Sequence, residues 1–109
     1  MTRIQMIRAI GDLLTRLDVL RGSLLPGNPR RLALDDLRLL LDDRQRRLSQ
    51  QHFEENTQAF RDAAADFAEV NAEVRQTIDR VEQLIDTITN VRRLLSAVDT
   101  VIGAALPLV

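Results

Sequence analysis

The chain contains no cysteine, no tryptophan and no tyrosine among its 109 residues, and only four glycines and three prolines. The missing cysteine excludes disulfides, thiolate metal sites and cysteine nucleophiles, and is compatible with a reducing compartment. Lysine is absent as well, so all 15 basic residues are arginine. Against 16 acidic residues they leave a net charge of −1, which provides no field to hold a polyanion or an anionic membrane. Nucleic acid is therefore not an expected partner, and a membrane is a poor one. No stretch approaches the roughly 20 uncharged apolar residues of a membrane span, because Arg92, Arg93 and Asp99 interrupt the most apolar region. The opening "MTRIQMIRAIGDLLTRLDVL" is amphipathic with spaced arginines, but Asp12 and Asp18 depart from a targeting presequence. It is expected to be part of the fold of a cytoplasmic protein.

Apolar residues make up 45% of the chain, mostly Leu, Ala, Val and Ile, a composition that points to an all-α domain. Ile7, Ile10, Leu14 and Leu17 recur at helical spacing, with Met6, Leu13 and Leu20 beside them, predicting a helix over about 3–21. Gly11 lies on the edge of that stripe, where close approach of another helix would explain it. "GSLLPGNPRR" supplies a turn at 22–29, with Asn28 placed to cap and Pro29 at the first helical position. A second helix over about 30–49 follows from Leu34, Leu37, Leu41 and Leu48, with Leu40 beside them. Asp42–Arg46 and Asp43–Arg47 are i,i+4 pairs in the favourable order and read as its solvated face.

From Arg30 to Ile102 there is neither Gly nor Pro. Within that run the only three aromatic residues, Phe53, Phe60 and Phe67, stand seven apart. Counted as position a of a heptad, the row continues through Val74, Val81, Ile88, Leu95 and Ile102. The d positions are Asn56, Ala63, Val70, Thr77, Leu84, Val91, Val98 and Ala105. Ile78 and Ile85 at e, and Leu94 and Val101 at g, widen the stripe towards the C-terminus. The pattern predicts a bend at 49–56, where the two leucine and phenylalanine frames fail to join, and then one long helix over about 56–103. Beyond it lies an apolar tail, 104–109.

A helix from about residue 54 to 103 would be roughly 75 Å long, and two helices of about 20 residues reach only about 30 Å each. The expected architecture is therefore a single antiparallel helical bundle over 1–109 whose long heptad-patterned helix is completed by dimerisation. Its interface would be Phe53, Phe60, Phe67, Val74, Ile78, Val81, Leu84, Ile85, Ile88, Val91, Leu94, Leu95, Val98, Val101 and Ile102. Residues 54–73 are acidic and residues 30–47 net basic, so the second helix is expected to lie antiparallel against the acidic segment, in cis or swapped across a dimer.

Chemistry-bearing constellations are sparse. His52 with Glu55 resembles a fragment of a carboxylate-bridged metal site, but no Glu-x-x-His pair accompanies it. Ser23, Ser49 and Ser96 have no His and acid partners at plausible spacing, and there is no Gly-rich phosphate loop. No enzymatic activity, cofactor or metal is expected. The reading is an assembly or adaptor protein that works by coiled-coil-like self-association and protein–protein contact. Its alternatives are a chaperone or antitoxin-like protein whose apolar stripe receives another protein's helix, and an amphipathic lipid-surface binder.

Overall fold

A computed structural model describes residues 1–106. The first helix, α1 (Arg3–Gly22), begins at a capping box in which Thr2 accepts from the Gln5 amide and Gln5 Oε1 accepts from the Thr2 amide. The next, α2 (Pro29–Gln50), starts as its sequence predicts, with Asn28 accepting from the Arg30 amide and Pro29 in the first turn. Its far end is closed from outside. The Arg3 guanidinium donates to the carbonyls of Leu48, Ser49 and Gln51, supplying partners for oxygens that a helix end leaves unmet.

The bend near 50 is a turn. Residues 51–57 leave the helix and close a turn, the Thr57 amide donating to the Glu54 carbonyl, before α3 (Gln58–Thr77), whose first turn is capped by Thr57 accepting from the Phe60 amide. The long helix expected over 56–103 does not exist as one element. It breaks after Thr77, passes through an extended Arg80 and a 3₁₀ turn at Val81–Gln83, and resumes as α4 (Leu84–Gly103). Neither Gly nor Pro marks the break. Its physical cause is tertiary: folded back, the stripe of α3 buries itself against α4, and Thr87 donates to Thr77 across the fold at 2.8 Å. Intrinsic helix preference in the connecting residues is too small to oppose that burial.

The result is an all-α four-helix bundle made of two antiparallel hairpins, α1/α2 and α3/α4, laid side by side with α2 against α4. α2 does not pack against α3, as the charge argument had it. Its basic groups pair instead with α1 (Arg38–Asp18) and α4 (Arg44–Asp99), and those of α4 and α1 meet acids elsewhere (Arg93–Glu73, Arg16–Asp79). The charge segregation is real, but each segment finds partners on two neighbours. Asp12–Arg75 and Arg16–Asp79 advance together by four residues, so α1 and α3 run parallel.

Four helices of 20–22 residues are each about 30 Å long, and they cover one another's apolar stripes in a single core. Gly11 sits where α1 approaches α2: an added Cβ would lie 3.2 Å from Gln45 Nε2, which donates to the Ile7 carbonyl. Ala105 forms an antiparallel bridge with Phe53, and the Leu106 amide donates to the His52 carbonyl at 2.8 Å. The rest of the apolar tail, 107–109, lies outside the described residues. No described helix is long and apolar enough to cross a membrane.

Candidate functional site

The fifteen residues of the expected interface fall into two groups. Phe60, Phe67, Val74, Ile78, Leu84, Ile88, Val91, Leu94, Leu95, Val98 and Val101 are buried in the core of one chain, and Phe53 and Ile102 pack half-buried against it. Phe53 and Phe60 touch ring to ring, with centroids 5.6 Å apart. Only Val81 and Ile85 are exposed, at the turn where the stripe folds back and in the first turn of α4. Apart from Val81, the seven-residue ruler therefore packs into the core of its own chain.

Of the other large apolar groups left at the surface, four lie on α2 and the turn ahead of it, while Met1, Ile4, Val19 and Leu106 lie on or beside α1 and after α4. Leu25, Leu32 and Leu39 are 79%, 55% and 67% exposed, and Leu40 stands beside them. At 100° per residue Leu32 and Leu39 point away from Leu34, Leu41 and Leu48, which are fully buried. Each row repeats every seven residues. Asp36 and Asp43 share the outer face with the leucines, and Arg46 and Arg47 flank its C-terminal end. The sequence carried this signal in the spacing of Leu25, Leu32 and Leu39. It was overshadowed by the stronger inner row, which accounts for a helix by itself.

Among the described residues six ion pairs join one helix to another or to the turn after α3: Asp12–Arg75, Arg16–Asp79, Asp18–Arg38, Arg21–Asp35, Arg44–Asp99 and Glu73–Arg93. Asp18 accepts from Arg38 and Arg21, and the Arg38 hydrogen bond holds its carboxyl below the usual range. Arg21, Arg38 and Arg44 are each held above the ordinary arginine value, chiefly by hydrogen bonds to Asp35, Asp18 and Asp99 respectively. His52 is exposed on the 51–57 segment, and its neighbour Glu55 is engaged as an acceptor of the Arg3 amide at 2.7 Å. Among the described residues no three His, Cys, Asp or Glu side chains converge on a common point.

Among the described residues two buried side-chain polar atoms lack partners, Gln51 Oε1 and Asn71 Oδ1. Asn71 lies on the face of α3 that bears Arg75 one turn later, hence towards α1. No family model, curated protein or solved structure matches this chain.

Proposed function

We propose that this chain is a non-enzymatic helical assembly or adaptor subunit that acts through protein–protein contact, forms a homodimer, and works in a reducing compartment such as the cytoplasm. The observation that carries the reading is the outer leucine row on α2 and its preceding turn. One exposed leucine is ordinary on any protein surface. Leu32 and Leu39, one heptad apart on α2, with Leu40 alongside and Leu25 on the preceding turn, make an apolar surface of the kind that pairs helices. The chain's own core accounts for the inner row, and among the described residues none covers the outer one.

The test is sedimentation equilibrium of the purified chain over a concentration series, beside Leu32→Asp and Leu39→Asp. Both sites are exposed, so the variants are expected to melt with the parent while shifting the mass towards monomer by at least about tenfold in dissociation constant. A parent that stays monomeric throughout would defeat the self-association part of the reading. A dimer that both substitutions leave intact would defeat the choice of surface.

The chaperone or antitoxin-like reading draws support from a different feature, the thin contact between α1 and α3, since a partner's helix could reach the buried stripe only there. A lipid-surface role would call on the apolar stripes of α1 and α4, both of which are turned into the core.

A further inference from the structure

The seam between α1 and α3 is built unlike the other three. α1 meets α2, α2 meets α4 and α3 meets α4 extensively, whereas α1 touches α3 sparsely. On α3 the row Ala64, Ala68, Asn71 and Arg75, spaced four, three and four residues apart, shares one helix face, and its two ends meet α1. Ala64 lines a cleft with Thr2 and Gln5 of α1, and Arg75 pairs with Asp12. Small side chains in this row bury little apolar area, so apolar closure of the seam falls to Phe60 and Ile78 near its two ends. Asn71 sits in the middle of it, 6% exposed, with its Oδ1 unpartnered. An acceptor stripped of water and given no donor favours any state that returns it to solvent or to a donor.

The seam is also open at its ends. A cleft of about 490 Å³ lies beside Thr2, Gln5, Glu55, Phe60 and Arg61, and another of about 260 Å³ beside Val19, Leu20, Ile78 and Val81. Two solvent-facing ion pairs cross the seam, Asp12–Arg75 at 3.3 Å and, on the wall of the second cleft, Arg16–Asp79 at 2.8 Å. Exposed pairs of this kind contribute little and are screened by salt. α1 is held far more firmly to α2, through Arg21–Asp35, Arg38–Asp18, Gln45 on the Ile7 carbonyl and the Arg3 contacts to the end of α2.

We propose that the bundle opens along this seam. The α1/α2 hairpin turns away from α3 about the α2/α4 contact, both hairpins stay intact, and Ala64, Ala68 and Asn71 become accessible without global unfolding. Such a motion is a sub-global opening at the junction where two packed α-helices make the sparsest contact. It is also the motion that admission of a partner's helix to the core would require, and it does not depend on what the outer face of α2 binds.

The absence of cysteine makes the test clean, since a single Ala→Cys substitution introduces the only thiol. Ala64 and Ala97 are 2% and 3% exposed, but Ala64 lies on the α1/α3 seam and Ala97 beside Asp66, Val70 and Arg93 on the α3/α4 side. Each full-length variant is labelled with dithionitrobenzoate under native conditions, normalised to its rate in the unfolded chain. Ala64→Cys is expected to label at least about tenfold faster than Ala97→Cys. Adding Arg75→Ala should speed Ala64→Cys further and leave Ala97→Cys unchanged, and adding Asn71→Leu should slow Ala64→Cys. Equal rates at the two thiols, or second substitutions that move both by the same factor, would mean access by whole-molecule unfolding and would overturn the proposal.

Discussion

Asp18 shows how a single exposed carboxylate ties two helices. It stands on α1, accepts from Arg21 one turn along its own helix and from Arg38 of α2, and the Arg38 hydrogen bond is the main reason its protonation is driven below the ordinary value of 3.8. Because the folded state binds that proton less readily than the unfolded chain, the contribution to stability is complete above the unfolded value. It is lost as pH falls through the lowered folded value. The carboxylate is 46% exposed, so solvent screening limits its worth to about 0.5 kcal/mol. Asp18→Asn is therefore expected to melt slightly below the parent at neutral pH, and the gap should close as the pH is taken below 3.8. A gap that persists undiminished in acid would assign the loss to packing rather than charge. Gly11 makes a complementary point about absence of a side chain. Its place against Gln45 lets α1 come close to α2, which is the reason its position on the stripe edge suggested.

Helix boundaries are set by a few capping side chains, and the start of α3 is the most instructive. Thr57 accepts from the Phe60 amide, so Thr57→Ala should cost about 1 kcal/mol, read from the urea midpoint at constant slope. If one continuous helix ran through this region from α2, the same substitution would remove no cap and would be neutral or stabilising. The turn at 22–29, the cap at Asn28 and the inner rows of α1 and α2 were legible in the sequence because each has a local chemical cause: Gly and Pro, an Asn side chain, a 3.6-residue period. The break at 78–83 was not legible by those rules, since no residue there forbids helix. One faint mark existed. Asn56 and Thr77 are the only polar residues at d positions of the heptad row, and they bracket α3 within two residues at its start and at its last residue. A polar group at a seam position is tolerated where the helix ends and the chain can hydrogen-bond locally, as Thr77 does to the Val74 carbonyl and to Thr87. The outer leucine row of α2 was visible too, but periodicity alone does not say which of two rows faces inward.

At the scale of the whole molecule, the heptad row and the fold differ over where its partner lies. A straight helix of about 48 residues would have to satisfy that row with a second chain; folded at 78–83, it satisfies the row within one. The two cases separate by mass action. A core shared between chains makes the melting temperature rise steeply with concentration, whereas a core within the chain does not, whatever weak association the outer surface adds. Phe60 tests the difference directly because it is 2% exposed and lies in the intramolecular core. Phe60→Asp would replace a buried ring with a carboxylate in an apolar core, a cost of several kcal/mol against a total stability of about 5–15 kcal/mol for a domain. The expected result is a chain that loses its cooperative melt even at concentrations where the parent is monomeric. A folded monomer of Phe60→Asp with the parent's melting temperature would show instead that Phe60 serves a contact between chains, and the heptad row would then have to be read as an intermolecular seam.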